Sequence, residues 1–296
     1  MNLSQLLEII SGCKLVRESE FTNLGLVSYN TLNLLVFIEN EKYLSALEAN
    51  NYVTAVITTE VLAERIPAQM GILIADNPRK VFYTLHNHLA TNTDFYWRDF
   101  DTIIEAGAKV HPKSFIAEKN VHIGENTVIE PGVAVMERTI IGNNSIIRAG
   151  SVIGSPGFEF SRVPEGILSI EHAGGVKIGN DVEIQANCCV NCSVFGGFTT
   201  IGNETKLGNL VYIDHNSKIG NRCLIAASAM IAGSVTIGDD VWIGPGACVS
   251  SEVTIQKGAS ITIGAVVTRN VNEHQRVSGN FAIDHDKFIA FLKTIR

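Results

Sequence analysis

No stretch of this chain approaches the roughly eighteen consecutive apolar residues needed to span a bilayer, so a membrane-crossing helix is not expected. The opening MNLSQLLEIISG has neither a basic n-region nor a long apolar core, which argues against a secretory leader and for a cytoplasmic setting. Excess positive charge is also missing. The formal net charge is -7, so a nucleic-acid backbone or an anionic membrane surface is not an expected partner for the molecule as a whole. Six cysteines in 296 residues are too few for a disulfide scaffold. Cys188, Cys189 and Cys192 cluster, but successive strand residues point to opposite faces, so Cys188 and Cys189 would diverge from a common metal. No metal site is expected.

The length suits one large domain or two modest ones, and the pattern changes partway along. Residues 1–100 read as a small α/β domain. Leu3, Leu6, Leu7 and Ile10 have helical spacing, whereas Leu32 to Ile38, Thr54 to Thr58 and Gly71 to Ala75 are short β-rich apolar runs. Asn77-Pro78 marks a helix start, and Val81, Phe82, Leu85 and Leu89 follow on one face. The aromatic stretch from Phe95 to Phe100 closes this region.

Beyond it, Ile123, Ile129, Val135, Ile141, Ile147 and Ile153 recur every six residues. The period returns at Ile178, Ile184 and Val190, then runs unbroken from Ile201 through Ile213 and Ile231 to Val267. Glycine often follows the aliphatic residue, as at Gly124, Gly142, Gly202 and Gly238. A six-residue aliphatic period with small residues at the bends is the hexapeptide signature of a parallel β-helix. One hexapeptide cannot bury its apolar face alone, so each coil must stack on its neighbours. The β-helix is assigned to residues 101–280 and a short C-terminal helix to 281–296. Residues 155–175 break the period with prolines and glycines and should loop out from the prism; residues 194–200 form a smaller excursion. Loops on a rigid scaffold often carry sites, although a tolerated surface insertion is the plainer reading.

The repeat has no need of the polar run Asp214-His215-Asn216, which follows inward-facing Ile213. An imidazole can take a proton near neutral pH, as acyl transfer to an amine requires, although a lone histidine at a corner is more often an ordinary surface residue. Gly233 lies eighteen residues further on, and hexad register stacks it beside His215, where its N–H could meet an oxyanion. A turn glycine is the competing explanation. Adjacent strand side chains face apart, so Asp214 is not expected to orient His215. His111 and His172 are weaker candidates without a readable partner.

On these residues the chain resembles the UDP-3-O-acylglucosamine N-acyltransferase family of lipid A synthesis over nearly its whole length. The segment Lys206 to Asn216 is similar to the one that holds that family's general base, which maps onto His215, and Gly233 matches its oxyanion glycine. The run Phe37-Ile-Glu-Asn40-Glu-Lys-Tyr43 looks like its uridine-binding pattern, which implies that Phe37, Asn40 and Tyr43 hold a uracil; Asn209 is a further substrate-binding candidate in the matching segment. The resemblance implies a left-handed β-helix, an exception to the right-handed rule for parallel crossovers, and a homotrimer. It also has departures. The family reads Gln at Tyr212, Ala at Asp214, a second histidine near Glu252, and Ile-Asp-Arg-Gly where this chain has Val190-Asn-Cys-Ser193. Its carrier-binding C-terminal helices correspond here only to about Asp284 to Arg296.

The function expected from the sequence is therefore an N-acyltransferase that acylates a UDP-linked amino sugar for surface polysaccharide or glycolipid synthesis. Acyl-CoA is the favoured co-substrate, and no permanently bound cofactor is expected. One alternative is the lipid A enzyme itself, using acyl carrier protein. Another is a non-catalytic scaffold that binds a nucleotide sugar.

Overall fold

A computed structural model describes residues 1–279 and 282–295. The expected boundaries at 280 and 281 lie outside the described residues. The chain divides into two compact units.

The first unit carries a five-stranded sheet built from β1 (Cys13–Arg17), β2 (Asn23–Leu24), β3 (Leu34–Ile38), β4 (Val53–Thr58) and β5 (Gly71–Ala75), ordered β1-β5-β4-β3-β2. Strands β2 to β5 run parallel and β1 is antiparallel to β5. The helices are α1 (Leu3–Leu6), α2 (Leu44–Ala49), α3 (Glu60–Ala63) and α4 (Pro78–Asn92). Asn77 caps α4 by accepting from Lys80 N–H at 3.0 Å, and Pro78 fills the first turn. Phe82, Leu85 and Leu89 are fully buried on one face of α4, as their spacing predicts.

The domain boundaries differ from those read in the sequence. Residues 156–174 and 193–197 belong to this first unit, not to the β-helix. Phe160–Val163 and Gly166–Ser169 pair as an antiparallel hairpin. Asn87 on α4 ties down its far end, donating to the Ser169 carbonyl (2.8 Å) and accepting from Glu171 N–H (2.9 Å). Buried His86 adds a contact to the Glu171 carbonyl at 2.8 Å and one to the Tyr96 hydroxyl at 2.7 Å. Phe195, from the shorter excursion, packs its ring on His86 (4.8 Å between centroids) and Phe82 (5.5 Å). That excursion is shorter than its sequence implies, because Phe198–Ile201 is already a strand paired with Gly175–Ile178.

The second unit is a three-sided parallel β-helix with sheets of nine, eight and eight strands. Along one column Tyr212 pairs with Met230 and Met230 with Cys248, an eighteen-residue step per coil. Every aliphatic position of the repeat from Ile123 to Val267 is at most 5 % exposed. Area removed from water by such side chains contributes on the order of 25 cal/mol per Å², and the stack is contiguous from end to end. Asparagines bind the coils at one corner: Asn143 N–H donates to Asn180 Oδ1, Asn180 N–H to Asn203 Oδ1, and Asn203 N–H to Asn221 Oδ1, each at 2.8 Å. At the same corner a Cβ on Gly142 would sit 2.6 Å from the Gly179 carbonyl oxygen, so only glycine fits. A final helix, α5 (His285–Thr294), is capped by Asp284. Among the described residues no helix is long and apolar enough to cross a membrane.

Candidate active site

The strand Tyr212–Ile213 ends at Ile213, and residues 214–217 turn the next corner, with Asn216 in the left-handed region at φ 58°. Asparagine tolerates that conformation better than most residues. The corner is fixed to the following coil by Asp214 N–H donating to the Ile231 carbonyl (2.9 Å) and Ser234 N–H donating to the His215 carbonyl (2.8 Å). These bonds put His215 beside Gly233, as the hexad register predicts. The imidazole lies so close to the glycine that a Cβ there would fall 2.4 Å from Cε1 and 2.6 Å from Nε2. Asn216 Nδ2 is 3.2 Å from His215 Nδ1.

Asp214 sits differently from the sequence expectation. Alternation applies only inside a strand, and the strand stops one residue earlier, so both side chains bend to the same corner. The Asp214 carboxylate accepts from His215 N–H through Oδ1 at 2.8 Å, and its Oδ2 is 4.0 Å from His215 Nε2. The site is sheltered, with both side chains only 12 % exposed.

Behind Asp214 lies a polar group that the sequence reading missed. Asn191 Nδ2 donates to Asp214 Oδ1 (3.0 Å) and to the Tyr212 hydroxyl (2.8 Å). Its Oδ1 accepts from Ser155 Oγ (2.8 Å) and Cys189 Sγ (3.1 Å). Burial first, and then the Asp214 carboxylate, push the Tyr212 phenol up to about 12. A signal was available: Asn191 and Asp214 directly follow inward Val190 and Ile213, where the flanking coils of that face carry the small residues Gly154 and Ala232. Cys188 and Cys189 do diverge, the former giving its thiol hydrogen to the Gly208 carbonyl (3.0 Å) inside the prism. Among the described residues no three potential metal ligands come together.

The other candidates lie elsewhere. Phe37 on β3 packs its ring against Phe82 (5.1 Å between centroids), and the Arg79 guanidinium lies 5.6 Å from its centroid. Asn40 follows β3 and accepts from Lys42 N–H at 3.0 Å, while Tyr43 stays 39 % exposed with Lys42 Nζ 4.8 Å from its ring centroid. These three gather at the carboxyl end of a parallel strand, where ligands of α/β sheets collect. Asn209 is at a different corner from His215, and its Oδ1 is occupied by Ala186 N–H at 3.0 Å. His111 accepts from Lys113 N–H (3.1 Å) in a local turn, and His172 accepts from Gly157 N–H (3.0 Å), fifteen residues earlier. Chemically, the His215–Gly233 pair offers a proton acceptor next to a peptide unit, which suits attack of a nucleophile on a carbonyl.

The bacterial transferase hexapeptide model (six repeats) matches residues 120–155 and 198–233, the second stretch spanning His215 and Gly233. A solved UDP-N-acetylglucosamine acyltransferase from Campylobacter jejuni superposes with a TM-score of 0.51 at 21 % identity, covering 66 % of this chain and 81 % of that one, which shows a shared fold. The UDP-3-O-acylglucosamine N-acyltransferase of Paracidovorax citrulli is 30 % identical over 193 residues, covering 60 % of this chain and 55 % of that one. The Helicobacter pylori protein of the same name is 30 % identical over 242 residues, 72 % of this chain and 69 % of its own length. This chain is an acyltransferase and belongs to the UDP-3-O-acylglucosamine N-acyltransferase family.

Proposed function

We propose that the chain transfers an acyl group from a thioester to the amine of a UDP-linked 3-O-acylglucosamine, acting as a homotrimer. The observation that carries this reading is the His215 imidazole held against the Gly233 peptide one coil away. The free amine attacks the thioester carbonyl carbon, and the Gly233 N–H faces the resulting oxyanion. His215 takes a proton from the attacking nitrogen. The tetrahedral intermediate then collapses, the C–S bond breaks, and the imidazolium returns its proton to the departing sulfur. The products are an amide and a free thiol.

Phe37, Asn40 and Tyr43 hold the uracil in this reading, the aromatic faces stacking and Asn40 meeting polar edges. Asn209 contributes to the acceptor site from a neighbouring corner. Uncharged outward side chains along one sheet of the β-helix, among them Phe115, Val152, Met230 and Val266, support association with further copies. The names of the relatives favour the lipid A alternative over the broader acyl-CoA-dependent polysaccharide reading. Acyl carrier protein is accordingly the proposed donor. The test is a thiol-release assay with UDP-3-O-acylglucosamine, offering hydroxyacyl carrier protein and acyl-CoA in parallel. Turnover with the carrier is the expected result. Turnover only with acyl-CoA and a different UDP-amino sugar would return the chain to the polysaccharide reading.

A further inference from the structure

Asp214 and Asn191 are not required by the β-helix. On this face the residue after the inward aliphatic one is Gly154, Ala232 or Ser250 on flanking coils, yet two consecutive coils place the buried polar side chains of Asn191 and Asp214 there. Asn191 is 2 % exposed and Asp214 8 %. Burying a carboxylate is costly unless its oxygens find donors, so this one must be supported by its neighbours.

The support is directional. The amide of Asn191 uses both N–H bonds, toward the Tyr212 hydroxyl (2.8 Å) and Asp214 Oδ1 (3.0 Å), while its oxygen receives Ser155 Oγ (2.8 Å) and Cys189 Sγ (3.1 Å). A flipped amide would set a carbonyl against a carboxylate, so the two donors fix the orientation. Asp214 Oδ1 is thus occupied by Asn191 and by His215 N–H (2.8 Å). Oδ2 remains on the side of the ring, 4.0 Å from Nε2. That separation is too long for a hydrogen bond, and it leaves the carboxylate facing the ring.

We infer that Asp214, locked by Asn191, is a positioning residue that holds the His215 imidazole over Gly233 and stabilises the positive charge the ring acquires when it takes the amine proton. The inference rests on His215 being the base proposed above. The titratable groups around the pair are Tyr212 on the same coil, Cys189 on the coil before, and Glu252, whose N–H donates to the Gly233 carbonyl at 3.1 Å, on the coil after next. Tyr212 is kept protonated by burial and by Asp214, so it supplies no competing charge.

The test measures kcat and acceptor KM for wild type, Asp214→Asn, Asn191→Ala and His215→Ala, with circular dichroism of each. Asp214→Asn keeps the shape and removes the charge. Its kcat is expected to fall about tenfold to a hundredfold with acceptor KM unchanged. Asn191→Ala, which frees the carboxylate without removing it, is expected to lower kcat less. An inactive His215→Ala beside an Asp214→Asn enzyme with wild-type kcat would overturn the positioning role and leave the base intact. A fully active His215→Ala would overturn the base, and the positioning role with it.

Discussion

The ring of His215 and the α-carbon of Gly233 are packed so closely that no side chain fits between them: a Cβ at 233 would stand 2.6 Å from Nε2. The contact comes from register alone. Ser234 N–H bonds the His215 carbonyl at 2.8 Å, so the two residues are neighbours in adjacent coils although far apart in sequence.

Gly233→Ala should therefore displace the imidazole without straining the backbone, because Gly233 is not among the left-handed positions. Displacement of a catalytic group by about 1 Å can cost on the order of a hundredfold in rate. We expect a kcat loss of about that size with a near-normal melting temperature, read by steady-state kinetics and calorimetry.

Much of this was legible in the sequence. The hexad positions, the α4 start at Asn77-Pro78 and the His215–Gly233 pairing all follow from periods and caps that need no knowledge of the fold. Three things were not. The strand alternation used to separate Asp214 from His215 ends at Ile213, and a two-residue strand leaves no alternation to apply. Asn191 and Asp214 stack as neighbours on consecutive coils, but the excursion at 193–197 stretches their separation to 23 residues, which hides the partnership from any fixed period. Residues 156–174 lack an apolar period of their own and are shaped by α4, through Asn87 and His86, so their place in the first unit depends on tertiary contacts.

The inward stack makes a stability prediction. Ile213 is fully buried, and Ile213→Ala leaves a void between rigid coils that cannot collapse easily. A loss of about 2–5 kcal/mol is expected in urea unfolding of the β-helix, and a loss below about 1 kcal/mol would contradict the packing described.

His86 makes a pH prediction. Burial, the largest cause, lowers it from 6.5 to about 4, against a smaller opposing contribution from the Glu171 carbonyl. The folded form binds fewer protons than the unfolded one between these values. The stability from the neutral ring is thus fully present above pH 6.5 and is lost as pH falls toward 4. The loss amounts to about 3 kcal/mol. Thermal unfolding at pH 7.5 and 4.5 should show a smaller drop in His86→Gln than in wild type, and equal drops would contradict it.

Phe37 packs on Phe82 at 5.1 Å and faces Arg79, so trimming it changes the end of β3. Phe37→Ala is expected to weaken UDP-sugar affinity about tenfold in calorimetric titration, the equivalent of about 1.4 kcal/mol. Unchanged affinity would remove the uridine assignment.

Val266 is 60 % exposed on the uncharged sheet face. Burying a charge in an apolar interface is unfavourable, so in the proposed trimer Val266→Glu is expected to shift sedimentation from three copies toward one, with activity falling in parallel. An unchanged trimer would place the interface elsewhere.

The decisive experiment is a single-turnover measurement of amide formation from UDP-3-O-acylglucosamine and hydroxyacyl carrier protein, with wild type and His215→Ala at saturating substrate. Loss of the chemical rate by about a hundredfold or more, with acceptor affinity kept, is the predicted result. An undiminished rate in the variant would contradict the assignment of His215 as the base.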